Sequence, residues 1–245
     1  MIETYFAEVG RLLKKIENRQ LEQMKEAAKL IADVVLRDGL IYVYGSGHAH
    51  MSAEDLFYRA GGLANVYPIF IEPLMLHEAA VHSSKLEKEE GLLEAYLEPL
   101  GFGKNDIMIV VSSSGRNATP IDAALFAKRR GGRLITISSK EYSLSAPSGH
   151  SCKKRLMELG DVNLDNLAPV GDACLETEGL EAKFSPVSSI TNLTILQAMI
   201  GESIKLCVEA GFTSVPVLKS GNMTGGAEYN QKIIEIYGKR IPYLM

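Results

Sequence analysis

The first segment of the chain alternates apolar and polar positions with the spacing of a long amphipathic helix. Apolar side chains recur every three or four residues, and the pattern resumes after a phase slip around residues 18–20. The two parts of this stripe are Ile2, Phe6, Val9, Leu13 and Ile16, then Met24, Ala28, Ile31 and Val35. Asp38-Gly39 is expected to end the helix. Unbroken, the segment would reach ~55 Å at 1.5 Å per residue, longer than a core of this size covers, so part of the stripe is predicted to pack on another subunit.

Beyond residue 38, short apolar runs alternate with segments of helical periodicity. The run Ile107–Val111 is continuous and β-branched, which is typical of a strand buried on both faces. Strands are predicted at 40–44, 66–71, 107–112 and 134–138, with short ones at 161–167 and 173–176. Helices are predicted at 51–60, 73–96 with a possible break at Gly91, 120–130, 188–210, and in a last segment ending at Tyr237. The alternation predicts a three-layer α/β/α fold around a doubly wound parallel sheet.

Composition narrows the class of protein. With 245 residues the chain can bury one sizeable core. The net charge of −4, with both signs interspersed, favours neither nucleic acid nor an anionic membrane as a partner. No apolar run approaches the roughly 20 residues that span a bilayer, and the N-terminus lacks the apolar core of a signal peptide. Three separated cysteines, Cys152, Cys174 and Cys207, fit reduced thiols, so a cytoplasmic protein is expected.

Two loops at predicted strand ends carry small polar residues, at positions 45–50 and 112–117. In doubly wound sheets ligands bind beyond the carboxyl ends of the strands. The second loop offers serine hydroxyls and free backbone N–H groups beside a helix start, an arrangement that suits a phosphate. Thr119 is expected to cap that helix, Pro120 to occupy its first turn, and Asp122 to act as the capping-box acid.

The first loop also partly matches a dinucleotide fingerprint. Gly45-x-Gly47-x-x-His50 follows a strand and opens a helix, and Glu72 stands at the end of the next strand. The third position of that fingerprint serves close helix–strand packing, and His50 is bulky there. A nicotinamide or flavin site is therefore the less favoured alternative to a phosphate or sugar loop.

Together the two loops resemble the signature of the sugar isomerase (SIS) domain family, a strand ending in GxGxS and a later strand-SxSGxT-helix. The chain reads Gly45-Ser-Gly-His-Ala and Ser112-Ser-Ser-Gly-Arg-Asn, followed by Ala-Lys-Arg-Arg-Gly-Gly and Leu-Ile-Thr-Ile-Ser. The resemblance covers about residues 31–215 and points to poorly characterised members related to phosphoheptose isomerase and N-acetylmuramate-6-phosphate etherase. It implies a flavodoxin-like SIS domain at 39–245 with a C-terminal helical extension. Residues 1–38 would be an oligomerisation helix of the same domain, in a homodimer or homotetramer.

The resemblance further implies that the loops bind the phosphate of a phosphorylated sugar or amino sugar. By position, Ser112 and Ser114 would supply hydroxyls and Ser113 a backbone N–H. Ala49 stands where the family usually has serine and Asn117 where it has threonine, so one expected hydroxyl is missing. The implied binding residues are Ser46, Gly47, His48, Ser112, Ser113, Ser114, Arg116 and Asn117, with His48 or Arg116 as candidates to compensate for that hydroxyl.

A third candidate is the stretch that holds His77, Glu78 and His82. Its HExxxH spacing puts the two histidines some 140° apart on a helix, so they cannot chelate one zinc as in the metalloprotease motif HExxH. Glu78 and His82 are four residues apart and share a helix face, an arrangement that suits a general base and its partner. A solvated surface pair is an equally weighted alternative, and the charges that follow, Lys85–Glu90, are assigned to the solvent.

Metal and cofactor binding are not expected. The resemblance places the metal of phosphoheptose isomerases on the helix after the first loop, where this chain has Glu54, Asp55 and the opposing cation Arg59. Two further polar segments are weaker candidates for the site. Gly171-Asp172 could place a carboxylate at a sheet edge, whereas the hydroxyls and amide of 188–192 are interpreted as ordinary helix capping.

The resulting functional hypothesis is a phosphosugar isomerase or lyase. Both reactions begin with removal of a proton from the carbon next to a carbonyl. Glu78 is the predicted base, with His82 or His77 as the proton shuttle. The alternatives are a non-catalytic phosphosugar sensor and a dinucleotide-dependent enzyme. Because the sequence shows no DNA-binding helix-turn-helix, the sensor is expected to regulate a partner protein and not transcription.

Overall fold

The computed structural model describes residues 1–245 and contains a central sheet of five parallel strands. The strand order is β2-β1-β3-β4-β5, so the winding reverses between β1 and β3. The strands are β1 (Ile41–Gly45), β2 (Val66–Pro68), β3 (Ile107–Val111), β4 (Arg133–Ser138) and β5 (Val162–Asp165). The predicted parallel sheet is confirmed, and its order differs from the 3-2-1-4-5-6 order of dinucleotide-binding sheets.

Helices cover both faces of this sheet. The α-helices are α1 (Ile2–Leu36), α2 (Met51–Leu56), α3 (Leu76–Leu86), α4 (Glu94–Leu97), α5 (Ala118–Arg129), α6 (Lys140–Leu144), α7 (Ser188–Glu209) and α8 (Gly226–Tyr237). Short 3₁₀ turns lie at Gly47–His50, Glu72–Leu74, Glu98–Leu100, Leu156–Glu158 and Pro242–Leu244. None of the helices combines the length and apolar character that a bilayer crossing requires.

Successive side chains of one strand enter two different cores, because a strand presents alternate residues to opposite faces. Ile41 and Val43 of β1 belong to a core shared with α1, α2 and α7. Tyr42 and Tyr44 belong to a second core shared with α4, α5 and α8. The three-layer α/β/α arrangement therefore follows from apolar residues at every position of β1.

Helix α1 is unbroken over 35 residues. At 1.5 Å per residue it is about 52 Å long. Its C-terminal half is buried through Ile31 and Val35, whereas Ile2 and Phe6 are 78% and 74% exposed. The helix stops because Asp38 adopts a left-handed conformation (φ 56°), which at a helix end is usually the conformation of a glycine. The expected stop at Asp38-Gly39 is therefore made by Asp38 and not by Gly39.

The helix predicted at 73–96 is broken at Gly91 as expected, where φ is +77°, but it is also interrupted at a second point that the sequence did not predict. Ala79 has φ −165° and ψ 92°, which interrupts α3 near its start, and α3 then ends at Leu86. A separate short helix, α4, begins only at Glu94.

The predicted capping box of α5 is also wrong. The helix begins at Ala118 with Asn117 as its N-cap, and the side chain of Asn117 accepts no capping hydrogen bond from the first turn. Thr119 therefore lies inside the helix, and Asp122 lies beyond the capping-box position. The Asp122 carboxylate instead accepts hydrogen bonds from the Gly91 N–H at 2.8 Å and from the His150 ring at 3.0 Å.

The strand predicted at 173–176 forms outside the main sheet. Strand β6 (Ala173–Leu175) pairs antiparallel with β7 (Phe184–Pro186), a strand that the periodicity did not predict. This hairpin lies between β5 and α7 in the chain, so it sets how the chain enters α7.

Candidate functional site

A cleft of about 290 Å³ lies beyond the carboxyl ends of β1 and β3. These neighbouring strands flank the point where the winding of the sheet reverses, which is where doubly wound sheets bind ligands. The two predicted loops both reach this cleft. Of the residues implied as phosphosugar ligands, those that line it are Ser46, Gly47, His48, Ser112, Ser113, Ser114 and Asn117.

The second loop, residues 112–117 after β3 and called the serine loop below, has a tightly constrained backbone. Ser112 Oγ accepts a 3.2 Å hydrogen bond from the Gly115 N–H, which closes the turn. Gly115 has φ +58°, and a Cβ at this position would lie 2.8 Å from Ser143 Oγ. Both the left-handed backbone and the lack of space require glycine here.

The carbonyl groups of residues 113–116 all point out of the loop toward the segment 139–156. Their donors are, in chain order, the Ser139 N–H (2.9 Å), Ser143 Oγ (2.7 Å), the Leu156 N–H (2.9 Å) and the Gly149 N–H (2.9 Å). In a planar trans peptide the next N–H points opposite to the carbonyl. The N–H groups of Ser114, Arg116 and Asn117 are accordingly turned away from those donors, and with that of Ser113 they make no hydrogen bond within the protein.

These unpartnered N–H groups lie in the loop that leads into α5, and the helix dipole adds partial positive charge where the loop meets the helix. Ser114 Oγ, at the cleft wall, also makes no hydrogen bond within the protein. Free donors at a helix start form an anion cradle. The predicted phosphate loop thus has the local geometry that such a site needs.

Arg116 is the one implied ligand that does not line the cleft. Its guanidinium lies 5.3 Å from the ring centroid of Tyr142, and Tyr142 forms part of the cleft wall. The Nε of Arg116 is buried without a hydrogen-bond partner. Positive charge is therefore close to the serine loop but outside the cleft.

The first loop is shaped by two glycines with different roles. A Cβ on Gly45 would lie 2.4 Å from the Ala49 carbonyl oxygen, so the close return of the chain demands glycine. Gly47 has φ +54° with open space around it, so glycine there provides backbone conformation only. The turn leaves His48 exposed at the cleft, and Ala49 contributes no hydroxyl.

Glu87 lies in the cleft, against the expectation that it belongs to a solvated charged face. It follows the last residue of α3, and its carbonyl oxygen accepts a 3.1 Å hydrogen bond from the Thr119 N–H. Its Oε1 accepts a 2.7 Å hydrogen bond from Ser46 Oγ, and the carboxylate makes no ion pair. No lysine or arginine lines the cleft, so this carboxylate has no positive neighbour there.

The predicted catalytic residues His77, Glu78 and His82 are exposed and do not line the cleft. Because Ala79 is not helical, Glu78 and His82 do not share the face of one regular helix. The Glu78 carboxylate instead lies 3.5 Å from Nε2 of its neighbour His77, and both side chains are more than half exposed. Their catalytic role stays a prediction.

The start of α7 forms the opposite wall, through Ser188, Ser189 and Asn192. The expected capping of this helix by its own hydroxyls is wrong, because Asp172 performs it. One oxygen of Asp172 accepts from the backbone N–H groups of Val187 (3.2 Å) and Ser188 (2.7 Å), and the other accepts from Ser188 Oγ at 2.7 Å. A carboxylate on the cleft wall therefore already occupies the positive end of α7.

Asn192 is a cleft residue that the sequence interpretation assigned to capping. It is 2% exposed, and its Oδ1 accepts a 2.8 Å hydrogen bond from Asn166, which follows β5. The only sequence signal for this role was a polar amide among the apolar residues of a long helix.

The helix after the first loop does not group ligands for a metal. Asp55 accepts hydrogen bonds from Arg59 and, at 2.7 Å, from Gln197, so its oxygens are occupied. Glu54 lies 3.6 Å from His50 and is exposed. No three His, Cys, Asp or Glu side chains anywhere in the chain are placed to hold one metal ion.

The SIS domain family model matches residues 4–139, which include most of α1 and both loops. A UPF0309 protein of Geobacillus sp. (strain WCH70) is 43% identical over 245 residues, covering all of this chain and 99% of the relative. Among solved structures, phosphoheptose isomerase GmhA from Neisseria gonorrhoeae is similar with a TM-score of 0.55 and 17% identity, over 83% of this chain and 97% of that one.

The Vibrio vulnificus NanR protein complexed with ManNAc-6P is similar with a TM-score of 0.50 and 12% identity, over 96% of this chain and 68% of that one. Such low identities show a shared fold only. The family match and the full-length relative go further: the chain belongs to the SIS domain family and, within it, to the UPF0309 proteins.

Proposed function

We propose that this protein binds a phosphorylated sugar with its phosphate on the serine loop. The observation that carries the proposal is the set of unpartnered donors in the loop that leads into α5, the N–H groups of Ser113, Ser114, Arg116 and Asn117 with Ser114 Oγ. Phosphate oxygens accept hydrogen bonds, and the α5 dipole favours their charge. The cleft, at about 290 Å³, is at the small end of ligand sites and suits a monosaccharide phosphate.

The bound sugar would extend from the serine loop toward Glu87 and the start of α7. Asp172 already satisfies the first N–H groups of α7, so a phosphate dianion is disfavoured at that wall. The amide of Asn192 and the hydroxyl of Ser189 are suited to sugar hydroxyls instead. This polarity orients the ligand with its phosphate on α5.

The reaction that we propose is proton abstraction next to the carbonyl of the opened sugar, with Glu87 as the base. Glu87 is the cleft carboxylate whose second oxygen is free, since Ser46 occupies only Oε1. The proton would pass from carbon to this oxygen, leaving an enediolate. Return of the proton to the former carbonyl carbon, with transfer of the hydroxyl proton from one enediolate oxygen to the other, completes an isomerisation. Loss of a substituent from the next carbon, with its bonding electrons, completes a lyase reaction instead.

A two-step experiment tests this proposal. A thermal-shift screen over hexose, N-acetylhexosamine, pentose and heptose phosphates identifies a ligand through its stabilisation of the fold. Proton NMR in D₂O then follows exchange of the hydrogen next to the carbonyl of that ligand. Exchange with the wild type supports an isomerase or lyase, and no stabilisation by any phosphosugar would overturn the binding proposal.

Paired variants separate the two candidate bases. With Glu87→Gln, exchange should fall by at least about 100-fold, the lower range for general-base catalysis, while stabilisation by the ligand persists. Glu78→Gln is the matched control on the exposed part of α3, and it should exchange at the wild-type rate. The opposite result would restore Glu78 as the base.

A phosphosugar sensor is the second candidate function. Its support is the fold similarity to NanR, a protein whose structure is described with a bound phosphosugar. A sensor would show stabilisation by a phosphosugar without any hydrogen exchange. A fluorescence titration with NAD(P) addresses the dinucleotide alternative, for which the observed strand order gives no support.

A further inference from the structure

The serine loop depends on a neighbouring segment that has little regular structure of its own. Between the end of α6 at Leu144 and the 3₁₀ turn at Leu156 the chain forms neither helix nor strand. Yet this stretch supplies the Gly149 N–H, and the turn that ends it supplies the Leu156 N–H; these two groups hold two of the outward carbonyls of the serine loop. Whatever fixes the stretch also fixes the direction of the free N–H groups.

His150 is the buried anchor of this stretch, with a side chain that is only 7% exposed. Its Nδ1 accepts a 3.0 Å hydrogen bond from the Cys152 N–H. A ring nitrogen that accepts carries no proton, so in the neutral ring Nε2 bears the hydrogen. That hydrogen is donated to Asp122 Oδ1 at 3.0 Å, which ties the stretch to α5.

The residues on either side of His150 make two more ties. The Gly149 N–H donates to the Arg116 carbonyl at 2.9 Å. The Ser151 N–H and Oγ donate to the two oxygens of Glu90 at 2.5 and 2.6 Å. Three consecutive residues thus attach the stretch to the serine loop, to α5 and to the segment after α3.

The same attachment reaches the segment that carries Glu87. Asp122 accepts from the Gly91 N–H through its second oxygen, so the carboxylate bridges His150 and the chain four residues beyond Glu87. The His150–Asp122 pair therefore connects the stretch that holds the serine loop with the segment that follows Glu87. Neither His150 nor Asp122 lines the cleft itself.

We propose that His150 is a positioning residue for phosphate binding. It would hold the stretch 145–155 so that the Gly149 N–H keeps the Arg116 carbonyl outside, and the planar peptide then keeps the Asn117 N–H free for the ligand. Donors that are held in place before binding lose little conformational freedom on binding, which strengthens affinity. This inference rests on the proposed phosphate site.

The test measures binding of inorganic phosphate to the full chain by isothermal titration calorimetry. His150→Ala removes both ring contacts and should weaken phosphate binding by about tenfold, the equivalent of 1.4 kcal/mol. His150→Gln retains an N–H donor for Asp122 and an oxygen acceptor for the Cys152 N–H, so it should stay within about threefold of the wild type.

Arg240→Ala separates a loss of positioning from a loss of stability. Arg240 donates two hydrogen bonds to Asp38, which lies just before β1. This contact is therefore at the amino ends of the strands, opposite the cleft. This variant should unfold more easily than the wild type and yet bind phosphate with unchanged affinity. Should His150→Ala fail to fold, Asp122→Asn probes the same pair, and a loss of at least about threefold in phosphate affinity is expected.

The possible failures are distinguishable. If the wild type does not bind phosphate, the proposed phosphate site itself fails. If the wild type binds phosphate and His150→Ala, or Asp122→Asn in its place, binds equally well, only the positioning role is overturned. Equal losses in His150→Ala and Arg240→Ala would likewise overturn it, because the effect would then be global.

Discussion

Ser46 Oγ donates a 2.7 Å hydrogen bond to Oε1 of Glu87, a residue 41 positions away in the chain. The bond joins the loop after β1 to the end of α3 at the wall of the cleft. A hydroxyl that donates to a carboxylate restricts its rotation and leaves the other oxygen facing the remaining space. The pair therefore connects the first loop, residues 45–50, with a side chain that no sequence motif identified.

Removal of this hydroxyl should destabilise the protein and release Glu87. Ser46→Ala is expected to lower the free energy of unfolding by about 1.5–3 kcal/mol, the range for hydrogen bonds to charged groups. In a Glu87→Gln background the same substitution should have a smaller effect, because the charged acceptor is gone. Urea denaturation of the four proteins measures the coupling, and strictly additive effects would show that the bond contributes nothing.

Ser112 and Ser114, two serines of the serine loop, should behave differently when they are replaced by alanine. Ser112 Oγ accepts from the Gly115 N–H, so Ser112→Ala should reduce stability by about 1 kcal/mol as well as weaken phosphosugar binding. Ser114 Oγ has no partner in the protein, so Ser114→Ala should weaken binding with little change in stability. Chemical denaturation and ligand-induced thermal shifts separate the effects, and equal stability losses would contradict this assignment.

Substitution of Gly115 should damage the loop more than backbone conformation alone explains. An alanine Cβ would lie 2.8 Å from Ser143 Oγ and 3.2 Å from Ser138 Cβ. Gly131→Ala is the matched control, because Gly131 also has positive φ (+75°) but open space around it. Left-handed strain of about 1–2 kcal/mol applies to both. Gly115→Ala should therefore show the lower melting temperature, and equal values would argue against the clash.

The contact between Ser151 and Glu90 should make part of the stability depend on pH. Hydrogen bonds from the Ser151 hydroxyl and N–H lower the pKa of Glu90 below its usual value, assisted by the positive charge of Lys153. A depressed folded-state pKa stabilises the fold above the unfolded-state pKa, and this stabilisation is lost as pH falls through the folded-state pKa. The melting-temperature gap between wild type and Glu90→Gln should thus be constant near neutrality and close below about pH 4. Calorimetry from pH 7 to pH 3 checks this, and a constant gap throughout would contradict it.

The exposed start of α1 should mediate self-association. Met1, Ile2 and Phe6 line an apolar groove with Leu175 and Phe184 of the β6–β7 hairpin. Such a surface is typical of an interface. Sedimentation velocity at micromolar concentration should give a dimer or larger species, and Phe6→Glu should shift it toward the monomer. Val208→Glu, at a 60% exposed position on α7, should leave the state unchanged. A monomeric wild type would disprove the predicted assembly.

The sequence alone was sufficient for the central parallel sheet because the signals for its strands are local. The run Ile107–Val111 is apolar at every position, and this is the pattern of a strand covered on both faces. The serine loop was likewise predictable, since Ser112 and Gly115 form their turn within four residues. The capping of α5 was assigned wrongly because Asp122 bonds to Gly91 and His150, which are distant in the chain.

Only the tertiary structure decided which carboxylates reach the cleft. Glu87 and Glu78 look alike in the sequence, and both stand in a charged helical stretch. Their positions differ because α3 ends at Leu86, where the Thr119 N–H and the Ser46 hydroxyl hold Glu87 against the sheet edge. Asp172 reaches the start of α7 across 16 residues that include a hairpin. Contacts of this kind depend on which distant segments of the chain meet at the carboxyl ends of the strands. Local periodicity carries no information about such meetings.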